Sequence, residues 1–517
     1  MENSTTRRDN AILRRLIYLA VVLSFAGSVD LAAQRDDRFF KIQVIDRETR
    51  RGVPLVELRR VDKVRHYTDS NGIVAIDEPG LVGTDIYFHV SSHGYEFRKD
   101  GFGYRGRRLR ITAGGEATLE VERTNIAQRL YRVTGNGIYR DSLLVGDSAP
   151  TRQPLINGRV FGSDSVVNAV YKGKIYWFWG DTNKPEYPLG NFHVPGAISQ
   201  LPGKGGLDPS SGVNLEYFLG KQGFAKPTAE MPGRGPTWIN GLTVVEGQDG
   251  SQNMFAMYVK VKPPLTIYRR GLVVFDDETE QFTHLREYKE HELMPYGHPF
   301  PHSVNGQDYI YYGNPLPQVR VPATLAAVRD PAQYEAYNCL AIGSSADELK
   351  VQRDDTGTLV YSWKRAGLRL TSQRIQQLIK SNQIKASESP LRLADANSDK
   401  AVQIHSGSIN WNPYRKRWIM IGLETFGSSL LGEVWYAEAE IPEGPWSAAI
   451  KIVTHDKYSF YNPKQHPMFD QRGGQLIYFE GTYTHTFSGN PDQTPRYDYN
   501  QIMYMLDLSD QRLHSQP

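Results

Sequence analysis

A β-hairpin pattern recurs five times between about Arg159 and Leu508 and restricts the folds open to this chain. Each copy has an apolar strand, a turn rich in Gly or Asn, and an aromatic-rich strand that ends in a polar residue. The copies are Ser165–Asp181, Thr237–Val245 with its returning strand Asn253–Val259, His302–Asn314, Gly407–Glu424 and His466–Glu480. A hairpin with one or two further strands makes a propeller blade. The repeat predicts an all-β chain with a five-bladed β-propeller over residues 150–510, whereas a two-sheet sandwich, the competing fold, does not predict this regular return.

One insertion interrupts the repeat between its third and fourth copies. Within it, Thr371–Lys380 has an N-cap residue followed by apolar positions at helical spacing. We therefore expect a capped amphipathic helix there.

Residues 39–123 precede the repeat and form a second β-rich region. Phe40–Ile45 alternates at period two, and Thr68–Gly72 has the composition of a tight turn. The segments "G-V-P-L-V-E-L" from Gly52, "T-D-S-N-G-I-V" from Thr68 and "S-H-G-Y" from Ser92 resemble the carboxypeptidase regulatory-like, transthyretin-like β-sandwich. That resemblance implies a separate Ig/transthyretin-like sandwich that acts as a spacer or stability module, without catalytic residues.

The N-terminus has the features of an export signal. A basic stretch ends at Arg15, an apolar run covers Leu16–Gly27, and small residues follow in Ser28–Gln34. This order predicts a cleaved signal peptide over residues 1–34 and a secreted or periplasmic protein. The alternative is an uncleaved signal anchor. No later apolar run is long enough to span a bilayer, so we expect no membrane span after signal removal.

Charge and cysteine content narrow the possible partners. The net charge is +3, with 60 basic and 57 acidic residues, so we expect no nucleic-acid partner. Cys339 is the single cysteine, which excludes an intrachain disulfide and a cysteine-based zinc site. The 30 tyrosines and 8 tryptophans suit sugar binding, although aromatic rings also fill β cores.

Two motifs within the repeat resemble known carbohydrate-active families. The "F-G-S-D-S" containing Asp164 and the "Y-K-G-K-I-Y-W-F-W-G-D-T" ending at Thr182 resemble a "G-D-T" propeller family that includes endo-D-arabinanases. The "E-V-W-Y-A-E-A-E-I-P-E-G-P-W-S" ending at Ser447 is similar to arabinanase and β-xylosidase propellers. The resemblance implies a secreted glycoside hydrolase that acts on a poly- or oligosaccharide.

The later copies depart from that family pattern. The family's usual Asp and Glu at the starts of later blades are absent, and histidines take their place: His298, His302, His405 and His466. The chain has 13 histidines in all, so four at matching ends of separate copies suggest a shared function.

Glycoside hydrolysis requires an acid for the leaving oxygen and a base or nucleophile on the other side of the sugar. We expect Asp164 to be the base, and Glu424 or one of His298, His302 and His405 to be the acid. Asp181 would orient a sugar hydroxyl or tune a neighbouring pKa, or it would only cap a turn. The predicted substrate contacts are Trp238, Asn240, His298, Asn314, His466, Glu480 and Tyr483.

Two other functions remain open at this point. A polysaccharide lyase would use His and Tyr, with Arg269, Arg270 or Arg320 neutralising a uronate. A non-catalytic carbohydrate-binding propeller would bind without turnover. No cofactor is certain, and histidines at the propeller axis are a candidate site for a divalent cation such as calcium. We expect a monomer whose partner is a carbohydrate substrate.

Overall fold

The computed structural model describes residues 37–365, 367–390 and 392–514. Strands dominate this part of the chain, with 33 strands numbered here in chain order. This confirms the predicted, mostly β class. The predicted signal peptide, residues 1–34, lies outside the described residues.

Two four-stranded sheets occupy the segment before residue 124. In chain order their strands are β1 (Phe40–Asp46), β2 (Glu57–Arg60), β3 (Arg65–Tyr67), β4 (Ile73–Ile76), β5 (Asp85–Ser91), β6 (Tyr95–Glu96), β7 (Gly106–Arg110) and β8 (Glu116–Arg123). One sheet has the order β4-β1-β8-β6 and the other β3-β2-β5-β7. Val44 and Leu119 of the first sheet pack with Leu58 and Phe88 of the second in one buried core. Alternation along these strands supplies that core, because successive side chains point to opposite faces.

Five larger sheets follow. Sheet I contains β11 (Val167–Tyr171), β12 (Lys174–Phe178), β15 (Gly196–Gln200) and β16 (Glu216–Tyr217). Sheet II contains β17 (Thr237–Glu246), β18 (Gln252–Lys262), β19 (Thr266–Asp276) and β20 (Gln281–Glu287). Sheet III contains β21 (His298–Val304), β22 (Gln307–Gly313), β23 (Pro317–Pro322), β24 (Glu335–Asn338) and β25 (Ser362–Arg365). Sheet IV contains β26 (Arg392–Ala394), β27 (Ala401–Asn412), β28 (Arg417–Glu424), β29 (Val434–Ala439) and β30 (Ile450–Val453). Sheet V contains β31 (Ser459–Gln465), β32 (Leu476–Thr484), β33 (Asn500–Asp507) and β9 (Gln128–Arg132).

The fifth sheet joins the two ends of this region. β9 pairs antiparallel with β33, although nearly the whole region separates them in sequence. β9 also precedes the predicted start of the large domain at residue 150. A small sheet of β10 (Gly162–Ser163), β13 (Thr182–Lys184) and β14 (Tyr187–Asn191) lies at the entry to sheet I.

The sheets follow each other in space as they do in sequence. β11 contacts β17, β17 contacts β21, β21 contacts β27, and β27 contacts β31. Sheet V also meets sheet I, where Lys464 of β31 donates to the Asn168 side-chain oxygen of β11. Just before β11, the Ser165 hydroxyl accepts from the Asn462 amide of β31 at 2.7 Å.

Contacts link the N-terminal sheets to sheet V. The Arg129 side chain on β9 is 1% exposed and donates to the carbonyls of Pro54 and His93 at 3.1 and 3.0 Å. Leu55 packs in the same buried cluster as Phe460 of β31. The region over residues 39–123 is therefore anchored to sheet V by buried polar and apolar groups.

Helices occupy the connections. The α-helices are α1 (Arg140–Leu144), α2 (Leu325–Arg329) and α3 (Ser372–Lys380), and the 3₁₀ helices are Pro79–Leu81, Pro331–Gln333, Ala386–Glu388, Pro467–Phe469, Arg472–Gly474 and Gln511–Leu513. α3 confirms the expected helix, since the Thr371 side chain caps it by accepting from the Arg374 amide. In the described part of the chain, every helix is too short or too polar to cross a membrane.

Candidate active site

Asp164 lies between β10 and β11, and two tyrosines hold its carboxylate. The Tyr461 and Tyr499 hydroxyls donate to Asp164 Oδ2 at 2.9 and 2.8 Å. A side chain at Gly180 would place Cβ 1.9 Å from Asp164 Oδ1, so the glycine leaves room for the carboxylate. Any other residue at position 180 would displace the carboxylate from this position.

The environment of Asp164 changes its proton affinity. Burial raises the Asp164 pKa, the nearby Asp181 charge raises it further, and the two tyrosine hydroxyls oppose the increase, so that the pKa is about 7. The side chain is still partly exposed. A carboxyl with a pKa near the working pH can exchange a proton during a reaction.

Asp181 connects sheets I and II. The Trp238 indole N–H donates to Asp181 Oδ1 at 3.0 Å, and both side chains are only partly buried. Burial raises the Asp181 pKa, against the opposing effect of that hydrogen bond. The contact favours a tuning role over the alternative of a simple turn cap, because the carboxylate accepts from another sheet.

Asn240 and Asn314 hold neighbouring sheets together. Asn240 Oδ1 accepts from the backbone amides of Gly241 and Gly297 at 2.8 and 2.6 Å. Asn314 Oδ1 accepts from the Gly407 amide at 3.1 Å. These side-chain oxygens accept hydrogen bonds from backbone amides. The predicted sugar contacts would therefore be made by the side-chain nitrogens of Asn240 and Asn314.

His405 and Glu424 lie together at one edge of sheet IV. The register of β27 against β28 shifts between Ile404 and Ser406, so His405 occupies a bulge beside the pair formed by Ile404 and Glu424. His405 is exposed. Glu424 Oε2 accepts from the Trp435 indole at 2.7 Å. Burial raises the Glu424 pKa, the Trp435 hydrogen bond opposes this rise, and the Glu433 charge adds to it.

His302 does not join this group. Its ring makes edge contacts with Tyr311 and Trp418, at centroid distances of 5.3 and 5.2 Å. It lies four residues beyond His298 on β21, or about 13 Å further along the strand. These contacts pack His302 between sheets III and IV, and its predicted acid role stays a prediction without support from the geometry.

His466 and Glu480, predicted to contact sugar, are instead buried. Both side chains are 0% exposed, with His466 Nε2 3.3 Å from Glu480 Oε1 but without hydrogen-bond geometry. The Asn168 amide donates to His466 Nδ1 at 3.0 Å, and Lys464 Nζ donates to Asn168 Oδ1. Burial raises the Glu480 pKa to about 8 and lowers the Lys464 pKa to about 8. His466 and Glu480 thus belong to a buried polar layer, and their fully buried side chains do not reach a substrate.

His298 lies beside that layer. It lines a 620 Å³ cavity together with Asn168 and Lys464, and its Nδ1 is buried without a hydrogen-bond partner. Burial and then the Lys464 charge lower the His298 pKa to about 3. Because the ring is neutral at ordinary pH, His298 is not suited to the predicted alternative role of acid.

Tyr483 belongs to the contact between the N-terminal sheets and sheet V. It is 1% exposed, and its hydroxyl lies 3.1 Å from His93 Nε2 and 3.2 Å from Thr494 Oγ1. Its predicted role as a sugar contact is therefore wrong.

The calcium expectation finds no support in the geometry. In residues 37–514, apart from the two positions left undescribed, no group of three or more His, Cys, Asp or Glu is placed to hold a metal ion.

Tyr461 and Tyr499 were missed by sequence reasoning. The fifth repeat copy was assigned to His466–Glu480, whereas the inner strand β31 is Ser459–Gln465. The signal that was available is the adjacent Phe460 and Tyr461 of this strand, which precede the segment assigned to the repeat. Tyr499 has φ 61°, in the left-handed region, immediately before β33, and no sequence pattern indicated it.

Comparisons with known proteins add structural neighbours. No protein-family model and no curated protein matches this chain. The exo-β-1,3-galactanase of Phanerochaete chrysosporium is 11% identical with a TM-score of 0.35, over 74% of this chain and 65% of that chain. This chain thus spans about two thirds of that galactanase's length.

Two further neighbours are also glycosidases. An exo-1,5-α-L-arabinanase from a bovine ruminal metagenomic library is 11% identical with a TM-score of 0.33, over 67% of this chain and 93% of that chain. An α-L-arabinofuranosidase of Fusarium graminearum is 11% identical with a TM-score of 0.33, over 74% of this chain and 99% of that chain. At these TM-scores and identities, the similarity carries no conclusion about the activity or the residues of this chain.

Proposed function

We propose that sheets I–V are the blades of one five-bladed β-propeller and that residues 39–123 form a β-sandwich docked on the last blade. Three observations support this: the first strands contact in sequence order, β9 completes the fifth sheet, and sheet V bonds back to sheet I. The propeller then extends over residues 128–132 as well as the expected 150–510. Its closure by an N-terminal strand leaves only short sheet edges.

We further propose that the protein is a glycoside hydrolase whose reaction centre contains the Asp164 carboxyl. The observation that carries this proposal is the partly exposed carboxylate held by two tyrosine hydroxyls and beside Asp181, with its pKa raised to about 7. A turn residue without function would not require two phenols and a glycine cradle.

In the proposed mechanism, Asp164 removes a proton from a water molecule as that water attacks the anomeric carbon. The bond from this carbon to the glycosidic oxygen breaks, and the leaving oxygen takes a proton from an acid, for which Glu424 is the first candidate. Asp181 keeps the Asp164 pKa high through its charge, and Trp238 both fixes Asp181 and offers a ring face to a sugar. His405, exposed beside Glu424, is the second candidate acid.

The lyase alternative is disfavoured by the tyrosines at this site. Burial and the Asp164 charge raise the pKa of both Tyr461 and Tyr499 well above the usual range of a phenol. These hydroxyls therefore keep their protons and would be poor bases for proton abstraction next to a uronate carboxylate.

Export and assembly remain proposals from the sequence alone. We propose that the protein is secreted or periplasmic, with cleavage between about Ser28 and Gln34, and that it is monomeric. N-terminal sequencing of mature protein from its source would return a start near Gln34, while a start at Met1 would contradict export with cleavage.

The experiment that tests the activity is a screen of purified protein against neutral and anionic polysaccharides. New reducing ends without an unsaturated, ultraviolet-absorbing product support hydrolysis. An unsaturated product indicates a lyase, and saturable binding without turnover indicates a binding module.

A further inference from the structure

Three arginines line one cavity at the rim of sheet II. Arg270 of β19, Arg369, and Arg374 of α3 face a 360 Å³ cavity whose other wall is residues 290–294. We name this cavity the arginine pocket. Its walls come from β19 and from the long insertion between the third and fourth repeat copies.

The positive charge of the arginine pocket is not balanced. Among the described residues, none of the three guanidinium groups forms an ion pair with a carboxylate. Arg374 Nη1 donates to the Arg369 carbonyl at 2.6 Å. Arg369 Nη1 is buried without a hydrogen-bond partner. A buried donor without an acceptor costs free energy, which a bound acceptor would remove.

Electrostatics and packing agree with this geometry. Burial lowers the Arg369 pKa, and the nearby charges of Arg374 and Arg270 lower it further, so the three groups repel one another. The Arg369 guanidinium stacks over the Tyr296 ring at 4.2 Å, which fixes its plane. Tyr296 thereby holds the partly buried Arg369 guanidinium near two other cations.

The acidic residues of the pocket wall do not neutralise it. Glu292 accepts from Arg286 at 3.3 Å and from the Lys289 amide at 2.7 Å. Glu290 is exposed to solvent. The net charge facing the pocket is therefore positive.

An apolar cluster connects the arginine pocket with the candidate active site. Tyr296, which carries Arg369 on its ring, packs in one apolar cluster with Trp238. Trp238 in turn donates to Asp181. Arg369 of the pocket and Asp181 thus each contact an aromatic side chain of this one cluster.

We propose that the arginine pocket binds an oxyanion, a carboxylate or a sulfate ester, carried by a sugar unit of the substrate, so that the substrate is an anionic polysaccharide. This inference rests on the proposed glycoside hydrolase function. Guanidinium groups stay charged at any working pH and pair with planar carboxylates and with sulfate through two parallel N–H donors. The hydroxyls of a neutral sugar can accept hydrogen bonds from guanidinium groups, but they would leave the three positive charges uncompensated.

The test uses the full chain and isothermal titration with two probes, sodium sulfate and sodium glucuronate, at constant ionic strength, with glucose as the neutral reference. We expect saturable binding of one or both probes and none of glucose. Binding of sulfate alone indicates a sulfated glycan, and binding of glucuronate alone indicates a uronate-containing glycan.

Variants distinguish the pocket from general surface charge. Arg369→Gln and Arg374→Gln should each weaken probe binding about tenfold or more, the scale of one lost charge-assisted hydrogen bond. Arg365→Gln, an exposed arginine of β25, is the matched control and should leave binding unchanged. Circular dichroism verifies that each variant folds, and Arg374→Gln serves if Arg369→Gln does not.

The outcomes separate this proposal from the proposed function. No saturable binding of either probe, or equal binding by wild type and a folded Arg374→Gln variant, overturns the pocket. Probe binding that depends on Arg374 in a protein that cleaves no polysaccharide would support the pocket and contradict the hydrolase. Cleavage confined to neutral polysaccharides would contradict the anionic substrate and leave the hydrolase intact.

Discussion

Replacing Asp164 by Asn should make the protein more stable than wild type, and increasingly so as the pH rises. The carboxyl has a pKa of about 7 in the folded protein against an ordinary 3.8. Below pH 3.8 it is protonated in both the folded and the unfolded chain, so its full contribution to stability is present there. As the pH rises toward 7 the folded protein holds a proton that the unfolded chain has released, and this contribution is lost.

The size of the effect follows from the two pKa values. Each tenfold difference in proton affinity is worth about 1.4 kcal/mol, so the loss above neutral pH is on the order of 4 kcal/mol. Asn does not titrate, and its Oδ1 can still accept from Tyr461 and Tyr499. The difference in free energy of unfolding, Asp164→Asn minus wild type, should therefore increase by up to this amount between about pH 4 and pH 8.

The assay is urea unfolding of both proteins at several pH values across this range. Asp355→Asn, which changes an exposed aspartate, is the matched control and should follow wild type at every pH. A constant difference between Asp164→Asn and wild type at all pH values would refute the raised pKa and the reasoning built on it.

Three further substitutions test other parts of the account. Tyr499→Phe removes a hydrogen-bond donor that lowers the Asp164 pKa, so the acidic limb of the pH–rate profile should move up by about one pH unit. The control Tyr414→Phe, which changes an exposed tyrosine, should leave that limb in place. Trp238→Phe keeps an aromatic ring, although a smaller one, and removes the N–H that bonds Asp181, so it should reduce kcat/KM about tenfold; an unchanged kcat/KM would mean that this bond has no part in catalysis. Leu55→Ala leaves a cavity against sheet V and should lower the free energy of unfolding by about 2–5 kcal/mol in urea titrations. A loss below about 0.5 kcal/mol would show that Leu55 does not pack there.

The sequence was sufficient for the mostly β class and for individual hairpins, because alternation at period two is a local signal. The helix over residues 372–380 was also predictable, because its N-cap residue and the spacing of its apolar residues are local signals. The pairing of β9 with β33 was not, since strand partners distant in sequence leave no local pattern.

The residues of the candidate site were likewise predictable from the sequence only in part. Asp164 and Asp181 were found because they flank the first hairpin, and the structure brings their environments together. His466 and Glu480 were predicted to contact a substrate because the fifth copy was placed several residues too late in the sequence. The residues at those positions are buried within sheet V and not exposed at its rim. Burial, which decides whether a titratable group can meet a substrate, depends on neighbours from other sheets and cannot be read from one copy.

The most direct test of the central claim is the turnover of Asp164→Asn on the polysaccharide that wild type cleaves best. If Asp164 is the base, kcat should fall by about a hundredfold or more, the scale of general acid–base assistance. Affinity for the substrate should be retained, because the amide keeps the size and hydrogen-bonding capacity of the carboxyl. A folded Asp164→Asn protein with kcat close to that of wild type would contradict the account.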